Sequence, residues 1–218
     1  MYLEVSNITK IIDKSTILDS VSLSMDKGKI YGLKGKNGSG KTMIMRAICG
    51  LIKLTEGEIY IDGKPLDRNQ AFPPSVGVLI ENPGFINNYS GARNLKVLAD
   101  IKGLIGMKEI EQTMALVGLD PYEKKKVKKY SLGMKQKLGI AAAIMEDPDM
   151  ILLDEPTNAL DQESIKNLRD ILKEYKKRGK LIILSSHDSE ELEYLSNRRW
   201  QDKRNIYSTI AYIGKRKE

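Results

Sequence analysis

The sequence predicts an α/β fold with a mainly parallel sheet, an N-terminal antiparallel β portion and an inserted α-helical subdomain. Three observations lead there. Short apolar runs, Lys29-Ile30-Tyr31-Gly32-Leu33, Met150-Ile151-Leu152-Leu153 and Leu181-Ile182-Ile183-Leu184, read as buried strands, and strand-helix-strand order implies parallel pairing. Val21-Ser22-Leu23-Ser24-Met25 instead alternates like a half-buried strand, and Gly57-Glu58-Ile59-Tyr60-Ile61-Asp62-Gly63 has the form of a hairpin that turns at Asp62-Gly63. From about residue 82 to 144 the period becomes helical, with Leu95, Leu98, Ala99 and Lys102 on one amphipathic face and Ile110, Met114 and Val117 on another.

Taken in order, Asp26-Lys27-Gly28 turns the chain into the first apolar strand, and a helix is expected over residues 41–49 with Gly50 as its stop. A long charged helix is expected over residues 162–178. The run Lys124-Lys125-Lys126-Val127-Lys128-Lys129 reads as a solvated face. One domain is expected, its core built from residues 1–81 and 145–196, with the helical subdomain at 82–144 and a basic tail at 197–218.

Composition narrows the function classes. The 218 residues, 41% hydrophobic and 30% charged, suit a chain that buries its own core. No apolar run approaches the roughly 18 residues of a spanning helix, and Met1-Tyr2-Leu3-Glu4-Val5 has no secretory character, so a cytoplasmic location is expected. Cys49, the single cysteine, excludes an internal disulfide. The formal charge of +7 belongs mostly to residues 198–218, where seven Lys/Arg face two Asp/Glu, so no nucleic-acid partner is expected from charge alone.

Gly35-Lys36-Asn37-Gly38-Ser39-Gly40-Lys41-Thr42 matches the P-loop pattern between a predicted strand and a predicted helix, which makes the core that of a P-loop NTPase. Glycines let backbone N–H groups converge on phosphate oxygens, and the helix N-terminus adds partial positive charge. Lys41 reaches the β- and γ-phosphates of ATP, and Thr42 offers its hydroxyl to Mg²⁺. The strand 150–153 ends in Asp154-Glu155, at the carboxyl edge of the sheet where α/β ligands bind. Asp154 is the candidate metal ligand and Glu155 the candidate for orienting the attacking water.

The order of these motifs with Tyr130-Ser131-Leu132-Gly133-Met134-Lys135-Gln136, Leu153-Asp154-Glu155-Pro156-Thr157, Ala159-Leu160-Asp161 and Ser185-Ser186-His187-Asp188 resembles the ATPases of ABC transporters over about residues 2–196. The resemblance implies that Ser131 and Gly133, in the signature motif, cap the γ-phosphate held by a partner subunit, so that a second copy or a homologous ATPase subunit completes each site. It implies that His187 contacts the γ-phosphate, that Asp161 links the two sites, and that a separate transmembrane permease is driven from the cytoplasmic face of the membrane.

The lid loop, the adenine-facing position and the signature depart from the family pattern, the signature reading Ser131-Leu132-Gly133-Met134-Lys135 where the family usually has a Ser-Gly-Gly-Gln form. Glu81, within Val78-Leu79-Ile80-Glu81-Asn82-Pro83, stands where the family has a glutamine in its lid loop; a carboxylate is a good ligand for a hard cation, so Glu81 joins Thr42 and Asp154 as a candidate Mg²⁺ ligand. Ile12 stands where an aromatic usually stacks on adenine, which reduces the base contact to apolar packing. Glu81 with Gly91-Ala92-Arg93-Asn94-Leu95 resembles exporters of peptide antibiotics such as bacitracin and lantibiotics, which implies export of such a compound. A nucleotide-binding regulator and an ATPase acting on nucleic acid or ribosomes are the alternatives. Beyond Asn197 the resemblance fades, although Ile206 to Ile213 reads as a strand.

Overall fold

A computed structural model describes residues 1–66, 72–81, 83–196 and 210–212. Most of the basic tail therefore lies outside the described residues, as does Asn82 of the lid loop.

The parallel sheet runs in the order β6 (Val76–Leu79), β7 (Met150–Asp154), β8 (Leu181–Ser186), β3 (Ile30–Lys34) and β9 (Ile210–Tyr212). Every pairing in it is parallel. The antiparallel sheet is β2-β1-β4-β5, from β1 (Leu3–Ile12), β2 (Ser15–Met25), β4 (Glu56–Ile61) and β5 (Lys64–Pro65). The chain thus passes from one sheet to the other at residues 26–29, and β2 and β3 do not pair.

Period-two alternation divides the parallel strands between two cores. On one face Met150, Leu152, Leu181, Ile183, Tyr31 and Leu33 pack with α1 (Lys41–Ile48) and the apolar side of the antiparallel sheet, including Leu3, Val5 and Ile59. On the other, Ile151, Leu153, Ile182 and Leu184 meet the remaining helices, α2 (Gly91–Lys102), α3 (Met107–Leu116), α4 (Leu132–Ile144), α5 (Gln162–Lys177) and α6 (Ser189–Ser196). Each fully buried Leu or Ile contributes about 1.5–3 kcal/mol relative to exposure, so both faces hold the sheet in place.

Helix starts follow their caps. Ser90 accepts from the Arg93 amide, Ser131 from the Met134 amide and Asp161 from the Ser164 amide. The buried Asn94 side chain ties the lid-side segment to α2 by accepting from the Ile86 amide at 2.7 Å and donating to the carbonyls of Ile86 and Ser90. Gly77 lets β6 lie against α4: a Cβ there would stand 1.7 Å from the Ala143 carbonyl oxygen.

Most expected elements form where the pattern placed them, including the Asp62-Gly63 turn, with φ of 52° and 70°, and the stop at Gly50, φ 73°. Leu98 is a correction. Leu95 and Ala99 are fully buried, but Leu98 is 38% exposed, because that edge of α2 lines an open groove instead of the core. In the lysine run Val127 is buried in a short 3₁₀ turn while the lysines are exposed.

Candidate active site

The site forms where β3 ends and α1 begins. Gly38 and Gly40 adopt φ of 79° and 98°, the left-handed conformations that let the loop fold back over the start of α1. Lys41 is only 6% exposed, and its Nζ donates to the carbonyls of Gly35 at 2.7 Å and Lys36 at 3.4 Å. The same Nζ lies 3.6 Å from Glu155 Oε1, so a cation buried under the loop faces the end of β7. Ser39 Oγ is buried and has no hydrogen-bond partner among the described residues. A phosphate oxygen would satisfy it, since buried polar atoms are rarely left unpaired.

Parallel pairing brings the carboxylates to this loop. Asp154 is opposite Ser185 in the register of β7 and β8, and the Ser185 hydroxyl donates to Asp154 Oδ1. The Thr42 hydroxyl donates to Asp154 Oδ2 at 2.6 Å. Two hard oxygen donors this close suit Mg²⁺, which takes few protein ligands beside phosphate oxygens and water. Glu155 has left the strand with φ 47°, a conformation that costs a non-glycine residue about 1–3 kcal/mol. Its amide donates to the Ser185 hydroxyl at 3.0 Å and the Ser185 carbonyl at 3.2 Å, and its Oε2 lies 3.0 Å from His187 Nδ1. Lys41, Glu155 and His187 therefore form a continuous polar chain.

An open cavity of about 450 Å³ joins these groups. It is lined by Asn37, Gly38, Ser39, Gly40, Lys41, Thr42 and Met43, by Asp154 and Glu155, and on its apolar wall by Ile12 and Ile17. Gly35 and Lys36 sit behind it as acceptors for Lys41.

The other candidate residues stand apart from the cavity. Ser131 and Gly133 lie at the start of α4, and Asp161 caps α5, where hydrogen bonds from Ser164 hold its carboxyl below the usual carboxylate range. Glu81, with φ 59°, turns to Arg46 in the last turn of α1, Oε1 to Nη2 at 2.7 Å, and does not line the cavity with Thr42 and Asp154. Sequence reasoning assigned no role to Ser185, Ile17, Arg46 or Gln136. Only Ser185 carried a usable signal, a hydroxyl at the end of a buried strand that pairs with β7.

The ABC transporter family profile matches residues 18–158. The chain belongs to that family. It is 50% identical over 190 residues to the uncharacterized ABC transporter ATP-binding protein YybJ of Bacillus subtilis, covering 87% of each chain. It is 39% identical to the bacitracin transport ATP-binding protein BcrA of Enterococcus faecalis, over 89% of this chain and 64% of that longer one. The lantibiotic transport ATP-binding protein SrtF of Streptococcus pyogenes is 39% identical, over 89% of this chain and 84% of the relative. Among solved structures, an ATP-binding subunit of an ABC transporter superposes with a TM-score of 0.81 at 27% identity, over 90% of this chain and 83% of the other. A dimeric bacterial ABC transporter cassette shares the fold at a TM-score of 0.80 and 24% identity, over 97% and 94%.

As an ABC ATPase the chain binds ATP, and the cavity beside Lys41 has the matching chemistry: loop amides and a buried cation for phosphates, aliphatic side chains for a base. No helix among the described residues is long and apolar enough to cross a membrane.

Proposed function

We propose that this chain is the ATP-hydrolysing motor of an export system for a peptide antibiotic or other toxic compound, working from the cytoplasmic face of the membrane on a permease encoded separately. Two copies, or this chain and a homologous ATPase subunit, close around two ATP molecules, with Ser131 and Gly133 of each against the nucleotide of the other and Asp161 beside the shared boundary. The similarity to the bacitracin and lantibiotic transport proteins supports the export reading.

The observation that carries the motor reading is the alignment of Lys41, Glu155 and His187 at the mouth of the phosphate loop. Lys41 neutralises charge on the β- and γ-phosphates, while Glu155 orients and polarises a water in line with the γ-phosphate and His187 holds that carboxylate from the far side. Mg²⁺, held by Thr42 and Asp154 with Glu81 as a further candidate, would supply Lewis-acid stabilisation of the transferred phosphoryl group.

The helical subdomain, residues 82–144, transmits closure to the permease. A groove of about 220 Å³ between the lid segment and α2 supports this, because Ile86, Val97 and Leu98 expose apolar surface along it.

The test compares ATP hydrolysis by the wild type and Glu155→Gln, together with the oligomeric state of each in ATP. Turnover in the wild type alone, with an ATP-dependent dimer of the variant, is expected. ATP binding without turnover or dimerisation in either protein would overturn the motor reading.

A further inference from the structure

Gln136 lies on the first part of α4, outside the cavity, yet it is bonded directly to the loop that carries Glu155. Its Nε2 donates to the Glu155 carbonyl at 3.2 Å and to the Pro156 carbonyl at 2.9 Å, so both amide hydrogens are used on adjacent peptide units. Both carbonyls follow directly on the reversal at Glu155, where the backbone is in the left-handed region. The same helical turn meets the other end of the loop: a Cβ on Gly133 would stand 2.7 Å from the Ala159 carbonyl oxygen, and Ala159 is also left-handed at φ 63°. Within the loop the Asn158 amide donates to the Glu155 carbonyl and the Leu160 amide to the Thr157 carbonyl. The loop 155–160 is thus a small folded unit held at both ends by one turn of α4.

We propose that Gln136 is a positioning residue for hydrolysis. It fixes the two peptide planes that follow Glu155, on either side of Pro156, and so keeps the carboxylate between Lys41 and His187. The coupling between sites rests on the proposed function: Ser131 and Gly133, which would engage the partner's nucleotide, precede Gln136 on the same turn. Nucleotide captured at one site is therefore reported through Gln136 to the Glu155 of the other. A side chain of the right size but without a donor breaks the link and leaves the phosphate loop intact.

Two variants test this, Gln136→Met, which keeps the length, and Gln136→Glu, which keeps length and polarity but meets the carbonyls with an acceptor. The readouts are kcat and KM for MgATP, equilibrium binding of ATP, thermal stability, and ATP-dependent dimerisation of each change in a Glu155→Gln background. The expected result is a loss of kcat of about tenfold or more, with KM and ATP affinity within twofold of wild type and dimerisation retained. A kcat within twofold of wild type in either variant overturns the proposal. So does a loss of kcat matched by an equal loss of ATP affinity or of dimerisation, because that marks a general packing role. A wild type that binds ATP without turning over would overturn the motor reading itself and the Gln136 proposal with it.

Discussion

Arg46 and Glu81 form an ion pair that joins the last turn of α1 to the lid loop, Nη2 to Oε1 at 2.7 Å. The glutamate side chain is 58% exposed and the arginine 34%, so the pair is well solvated and is worth about 0–1 kcal/mol. It orients Glu81 without locking it. A carboxylate bound this weakly is available to a stronger cation, and on the proposed role of Glu81 as a metal ligand Arg46 competes with Mg²⁺ for it.

Arg46→Ala is expected to leave thermal stability nearly unchanged and to lower the Mg²⁺ concentration that gives half-maximal ATPase activity. Glu81→Ala is expected to raise that concentration. A Mg²⁺ titration of the three proteins checks both shifts, and identical curves would show that Glu81 does not reach the metal.

Ser185 serves two masters in a strand with no exposure, donating to Asp154 and accepting from the Glu155 amide. Ser185→Ala removes one partner from each group while Thr42 still donates to Asp154 and the backbone carbonyl of residue 185 still accepts from the Glu155 amide, which predicts a destabilisation of about 0.5–1.5 kcal/mol, measured by urea unfolding, together with reduced turnover. Asp154→Asn keeps an acceptor for Thr42 but removes the charge. Its turnover is expected to fall by about 100-fold or more, with ATP binding in chelator unchanged.

The strands and helices were legible wherever a local period was unbroken. The hairpin at Asp62-Gly63 needs positive φ at both residues, and the pair is suited to it. β1 escaped notice because its alternation is interrupted: Leu3 and Val5 are buried, then Asn7 at φ 46° shifts the register before Ile8. In β6 a central glycine, there to admit α4, weakens a run of only four residues. The phosphate loop and the Asp154-Glu155 pair were readable because their spacing is local. Gln136 and Arg46 act across distant segments, on a loop 19 or 20 residues further along the chain and on Glu81 in another loop, and no local pattern announces such contacts.

Cys49 caps α1 with no exposure, and burial pushes its thiol up to about 12. Little thiolate exists at neutral pH, and reagents have no path to it. The native protein is expected to resist a chromogenic disulfide reagent until denaturant opens the fold, and added ATP to slow that reaction by stabilising the native state. Rapid labelling of native protein, unaffected by ATP, would contradict this.

At the opposite edge of the sheet from the cavity's loops, burial tends to raise the pKa of Asp149, but Lys27 at 3.2 Å and Lys180 at 3.4 Å outweigh it and hold the carboxyl below its ordinary value of 3.8. A carboxylate with a depressed folded pKa contributes stability that is present above the unfolded value and is lost as pH falls through the folded one. Asp149→Asn is therefore expected to be less stable than wild type by a constant, salt-sensitive margin between pH 5 and 8 (about this range). The margin closes as pH drops below about 4, which denaturant melts across that range would record.

The phosphate loop hangs from β3, and β3 has as neighbours only β8 and β9. Ile30 must find Ile182, and Gly32 must find Ile210, so the strand that anchors the phosphate loop is made well before the strands it pairs with. At about 5–20 residues per second, a ribosome leaves that strand without its sheet for about 8–30 s. During this interval the apolar residues of β3 are exposed, and the nascent chain depends on whatever shields them until the later strands emerge.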